Sequence, residues 1–162
     1  MGIPTATGNL SLPLSKLAAQ LAGLTSFQSF TFAADSTEAL SRIHIVAAAG
    51  DGQFSAPRPF ALITWADFSS RVGPYSGGRL LLRFEADVSD AYQGVQWTKD
   101  AAYEFLNPVG AILEDLVEVE PGGELLIPRN GGLTWARPPQ RSYDCEDGDY
   151  WVADFYVNFG LS

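Results

Sequence analysis

The chain has 162 residues, 46% of them hydrophobic, and its 19 acidic against 10 basic residues leave a net charge of −9. That length suits a single domain, residues 1–162, able to bury roughly 70% of its unfolded surface. The acidic balance argues against a protein held on nucleic acid by phosphate neutralisation, and a single cysteine, Cys145, excludes an internal disulfide and a cysteine-rich zinc site.

Residues 1–10 are small, polar and contain Gly and Pro, which reads as a flexible N-terminal arm. No basic segment precedes its apolar residues, and no run of about 18 apolar residues occurs, so neither a secretory signal nor a membrane span is expected. An intracellular, reducing setting follows as the expectation. A helix is expected from Ser11, which can cap it, with Pro13 in the first turn and Leu14, Leu17, Ala18, Leu21 and Leu24 as an apolar stripe. Phe27, Phe30 and Phe32 suggest a short strand, followed by a helical turn opened at Asp35 or Ser36.

Ile43 to Ala49 is a compact apolar run consistent with a strand, ended by the turn signal Gly50-Asp51-Gly52. Phe60 to Trp65 is apolar on nearly both faces and reads as an interior strand. After the loop ADFSSRVGPYSGG comes the clearest alternation in the chain. Leu80, Leu82, Phe84, Ala86 and Val88 take one face, and Arg79, Arg83, Glu85 and Asp87 the other. The first face seeks a core; the second reads as solvated.

The period then changes. Ala102, Phe105, Leu106, Val109, Ile112, Leu113 and Leu116 fall at helical spacing, with Lys99, Asp100, Glu104, Glu114 and Asp115 opposite. Pro108 inside this pattern bends the helix or marks its true start. A helix lying on the sheet buries both apolar faces, which makes Ser76 to Leu116 the nucleus of the domain. Pro121-Gly122-Gly123 stops the helix, and Leu125-Leu126-Ile127 reads as a short edge strand. Leu133 to Arg137 and Tyr150 to Phe159 form an expected hairpin across a Pro-rich, acidic connection. The fold class is therefore α+β: an antiparallel or mixed sheet of about four to six strands with two main helices packed on it.

The loop Asp144, Cys145, Glu146, Asp147, Gly148, Asp149 is rich enough in oxygen ligands to suggest calcium. Its spacing is wrong, because the final acidic ligand of an EF-hand opened at Asp144 would fall on Phe155, so the acidic residues Asp144, Glu146, Asp147 and Asp149 read as a solvated hairpin tip. Cys145 sits among carboxylates, which disfavour a thiolate. His44, the one histidine, lies in an apolar strand with no nucleophile elbow anywhere in the chain, and reads as structural. Glu85 and Asp87 resemble a glycosidase pair in spacing but read as ordinary solvent-facing charges. Gly77-Gly78-Arg79 lacks the phosphate-binding frames, so no cofactor is implied, and no catalytic or metal-binding residue is assigned. The loop residues Arg58, Phe68, Arg71 and Tyr75 are of types enriched at interfaces and are assigned to a subunit or tube contact.

Taken together, the helix LPLSKLAAQLAGL, the strands and loop of IHIVAAAGDGQFSAPRPFALITW, the unit LLLRFEADVSD with AAYEFLNPVGAILEDL, and the closing YWVADFYVNFGL form a recognisable layout. It resembles the tail terminator, or tail-completion, minor tail proteins of long-tailed bacteriophages, over most of the chain. The resemblance implies a non-enzymatic virion protein, made in the host cytoplasm and placed in the tail or neck. It implies a six-fold homo-oligomeric ring that caps the tail tube, contacts the tail tube protein and the head–tail connector or neck proteins, and lets DNA pass without specific binding. A neck connector or head-completion protein is the nearest alternative, and a small-ligand or carbohydrate-binding domain using Trp65, Tyr75 and Trp97 is the alternative of another class.

Overall fold

The computed structural model describes residues 12–47, 54–68, 77–88, 102–118, 125–126, 132–144 and 148–161. Leu17, Ala18, Leu21 and Ala22 recur at helical spacing and are all buried, and they form the inner face of helix α1, Leu12–Ala22. A second, short helix α2, Thr25–Phe30, stands where a strand was expected. The reason is tertiary. The three-residue spacing of Phe27 and Phe30 puts both rings on one helix face, where they meet Phe84 at 6.3 and 5.9 Å.

Helix α3, Ser36–Leu40, opens as expected at Asp35. The Asp35 carboxylate accepts the Glu38 N–H at 2.8 Å, and Glu38 in turn accepts the Ala34 N–H at 2.8 Å, so two otherwise orphaned donors are satisfied. Strand β1, Ile43–Ile45, is shorter than the apolar run that announces it; Ala48 and Ala49 lie outside the described residues. The remaining strands are β2 (Phe60–Phe68), β3 (Gly77–Asp87), β4 (Leu125–Leu126), β5 (Leu133–Asp144) and β6 (Gly148–Leu161).

These six strands form one mixed sheet in the order β1-β2-β3-β6, with β1 parallel to β2 and every other pairing antiparallel. Strand β3 takes one edge of β6 from Tyr150 to Gly160. Strands β5 and β4 share its other edge end to end, β5 against Gly148 to Val157 and β4 against Gly160 and Leu161. Strand β2 is interior, as its two apolar faces require.

Between β3 and β4 the chain makes a π-helical turn, Ala102–Leu106, and then helix α4, Asn107–Glu118. Pro108 therefore marks the start of the α-helix. It stands where the π-helical turn gives way to the α-helix, so its missing N–H falls at the change of hydrogen-bond pattern. The apolar faces predicted for β3, β6 and α4 come together in one cluster: Leu80, Leu82 and Phe84 from β3, Trp151, Ala153, Phe155 and Val157 from β6, and Phe105, Val109, Ile112 and Leu116 from the helical segment. Helices α1, α2 and α3 add their buried residues to the same cluster, so the described helices lie on one side of the sheet.

Strand β5 runs straight through the segment expected to be a Pro-rich connection. Its register shifts between Trp135 and Arg137 and again between Arg137 and Gln140, leaving Ala136, Pro138 and Pro139 outside the ladder. Prolines, which have no N–H to donate, are tolerated there because β5 is hydrogen-bonded to β6 alone among the described strands. Gly148, at φ 82°, supplies the left-handed backbone that returns the chain into β6.

Candidate functional site

The second face of the sheet corrects half of the sequence reading: Arg79 and Asp87 are exposed as expected, but Arg83 and Glu85 are buried. Across the three strands β3, β6 and β5, Arg83, Asp154 and Arg137 stand in direct register. Arg83 donates from Nε to Asp154 Oδ1 at 2.7 Å and from Nη2 to Oδ2 at 3.2 Å, and Arg137 reaches the same carboxylate at 3.1 Å. Next to this row, Arg58 donates from Nε to Glu85 at 3.1 Å and from Nη1 to Asp87 at 3.4 Å, while Arg83 lies 4.0 Å from the far oxygen of Glu85. The side chains of Arg58, Arg83 and Glu85 are each 6% exposed.

Three guanidiniums (Arg58, Arg83, Arg137) thus meet three carboxylates (Glu85, Asp87, Asp154), and the group is neutral in sum. Buried charges are tolerated only when paired in this way. Burial nevertheless dominates at Glu85, whose carboxyl is held above the ordinary glutamate range despite Arg58 and Arg83 beside it. Around the row lie Phe60, Leu62, Thr64, Tyr150 and Val152, all buried, and the Arg58 guanidinium stacks 4.2 Å above the Tyr150 ring. The geometry is that of a clamp joining strands: every one of these charged groups is engaged by another.

His44 belongs to the same face. Its ring packs against Phe54 at 4.9 Å and Phe60 at 5.5 Å, and burial, aided by Arg42, lowers the pKa of its imidazole. Among the described residues no three His, Cys, Asp or Glu stand close enough to hold a metal ion, and no described helix is long and apolar enough to cross a membrane.

An open cleft of about 480 Å³ lies at the end of this network, where α2, the end of β3 and the π-helical turn converge. Phe32 and Tyr103 line it with Arg58, Asp87, Glu104 and Pro108. Two of its features are costly to the fold. Phe32 is 84% exposed and held at φ 57°, a left-handed conformation that costs a non-glycine residue on the order of 1–3 kcal/mol. Tyr103 is 62% exposed on a π-helical turn, a geometry that recurs at functional sites. The Asp87 side chain is 66% exposed, whereas Glu104 accepts the Trp151 indole N–H at 2.7 Å and is tied to the core. Arg58 and Asp87 also line a neighbouring cleft of about 420 Å³ with Ser55 and Pro57.

The residues singled out from sequence are scattered. Arg58, assigned to an interface, is turned inward into the charge network, though it reaches the cleft wall. Phe68 ends β2, and Arg71 and Tyr75 lie outside the described residues. Asp144 closes the β5–β6 ladder opposite Gly148, Asp149 is bonded by Arg141, and Glu146 and Asp147 lie outside the described residues. Of the three aromatics weighed for carbohydrate binding, Trp65 packs against the core cluster, and Tyr75 and Trp97 are outside the described residues. Sequence reasoning placed Phe32 in an expected short strand and gave Tyr103 no role; the one signal at Tyr103 is negative, since it does not fit the apolar periodicity of its helix.

No protein-family model matches this chain, and no curated protein matches it significantly in sequence.

Proposed function

We propose that this chain is a structural protein of a tailed-phage virion, a tail terminator whose copies close into a six-fold ring on the tail tube and join it to the neck. The layout behind the resemblance is carried by α1, β1 to β3, α4 and the β5–β6 pair, with α2 in place of the expected strand. The observation that carries the reading is that the sheet has two different edges, each showing large apolar side chains. Ile45 is exposed on β1 at one edge, and Trp135 and Tyr143 are exposed on β5 at the other. A head-to-tail ring needs two unlike patches of this kind, and Trp and Tyr are favoured at such contacts. The charges of the second face, being engaged with one another, act in this reading to stiffen the plate between the two edges.

Light scattering on the eluting peak, with negative-stain microscopy, tests the proposal. The expected result is a closed ring that binds the open ends of tail tubes, lost in Trp135→Glu. A chain that stays monomeric up to about 100 μM, well above the dissociation constants of stable interfaces, would overturn it. A ring that ignores tube ends but binds the portal side would favour the neck connector instead.

A further inference from the structure

We infer that the cleft between Phe32, Tyr103 and Asp87 is a recognition site for an arginine side chain presented by a partner polypeptide. The inference stands apart from the ring. Its first ground is chemical. The cleft joins two exposed aromatic rings to a carboxylate that is largely exposed, and the faces of aromatic rings attract cations. Of its charged lining residues, Asp87 and Glu104 are negative and Arg58 alone is positive; Arg58 meets Asp87 at one oxygen, Oδ1, at 3.4 Å, and the Asp87 side chain, 66% exposed, still presents its carboxylate to solvent, so the wall favours a positive ligand.

The second ground is how this fold treats arginine elsewhere. Arg58 lies over Tyr150 at 4.2 Å while bonded to Glu85, and Arg79 lies over Tyr156 at 4.1 Å while bonded to Asp67. In both, a planar guanidinium takes an aromatic face and a carboxylate together, which a compact ammonium does less well. The cleft repeats that combination at the surface, with Tyr103 and Phe32 as the faces and Asp87 as the carboxylate. The third ground is size and setting. About 480 Å³ is room for a side chain with its flanking backbone rather than for a bare ion, and rim aromatics held in solvent at a cost to the fold supply the apolar contact such a segment needs. The left-handed backbone at Phe32 ends α2, with the Ala33 N–H on the Gln28 carbonyl at 2.8 Å and the Phe32 N–H on the Ser29 carbonyl at 3.3 Å, and leaves its ring out at the rim.

The test is a titration of the intact chain with the capped pentapeptide GARAG, followed by the NMR signals of the Phe32 and Tyr103 rings. The arginine peptide is expected to shift both sets. The citrulline counterpart, equal in shape but uncharged, should bind about fivefold more weakly or worse. Tyr103→Ala and Asp87→Asn should each weaken the arginine peptide about three- to fivefold, and added salt should weaken it in the parent chain more than in Asp87→Asn. Phe32→Asn should also weaken binding while leaving the melting temperature unchanged or raised, because Asn tolerates a positive φ. That split separates recognition from folding. The inference is overturned if the citrulline peptide binds equally, if Tyr103→Ala and Asp87→Asn keep full affinity, or if neither ring signal moves by about 10 mM peptide, the limit of weak specific binding. It is overturned also if raising the concentration of the chain alone reproduces the shifts, which would assign the cleft to a second copy.

Discussion

The two faces of the sheet are both buried at their centres, but by different means. The first is covered by helices and held by apolar residues whose attraction has no direction: Leu80, Leu82 and Phe84 need only volume and contact from α1, α2 and α4. The second is crossed by Arg83, Asp154 and Arg137, whose attraction depends on register, because a one-residue slip of β6 would carry Asp154 to the other face. The apolar face supplies most of the driving force to fold. The charged face selects which pairing of β3, β6 and β5 is allowed. Alternation of polar and apolar residues reports only the polarity of each face, and a polar face can be buried when its charges are paired across strands.

The largest effects should be of equal size on the two faces but of different character. Phe84→Ala leaves a cavity under Phe27, Phe30 and Phe155 and should cost about 3–5 kcal/mol in urea unfolding. Asp154→Asn leaves Arg83 and Arg137 without their shared carboxylate and should cost a similar amount, about 3–5 kcal/mol. The next effect appears with pH. Because burial raises the Glu85 pKa in the folded chain, the folded state holds this proton more tightly than the unfolded one, and its contribution to stability falls as pH rises from the ordinary glutamate range through the raised value. Across that window the urea midpoint of Glu85→Gln should move upward relative to the parent chain. A difference moving the other way would mean that Arg58 and Arg83 outweigh burial. Asp35→Ala, at an exposed position, should remove the cap of α3 at about 1 kcal/mol, read as a small drop in melting temperature. The smallest change is expected for Asp67→Asn, whose pair with Arg79 is exposed; its stability should match the parent at high salt within measurement error.

Much of the first face was legible. The alternation of Leu80 to Ala86 and of Trp151 to Val157 is long enough that no helix fits it, and the helical spacing from Phe105 to Leu116 fits no strand. Phe27 to Phe30 was not legible, because a short aromatic stretch suits strand or helix alike until Phe84 and Phe105 stand beside it. Pro138-Pro139 read as a connection because the partial, edge position of β5 is a property of the sheet rather than of the segment. The charge network was invisible for a related reason. Arg58 and Glu85 are 27 residues apart, and Arg83 and Asp154 are 71 apart, so nothing local distinguishes a paired charge from a solvated one. The cleft has the same origin: Phe32, Asp87 and Tyr103 meet only once α2, β3 and the π-helical turn are packed.

The central claim, that the charges of the second face are a structural clamp holding each other, is tested most directly by a double-mutant cycle on Arg83 and Asp154. Asp154→Leu should destabilise the chain by about 3–5 kcal/mol in urea unfolding, since it takes the shared carboxylate from buried Arg83 and from Arg137, and Arg83→Met by less, since Arg137 still meets Asp154. Combined, they should lose much less than their sum, with a coupling on the order of 1.5 kcal/mol or more. If the two losses simply add, to within about 0.5 kcal/mol, the pair is not a clamp and the account of this face is wrong.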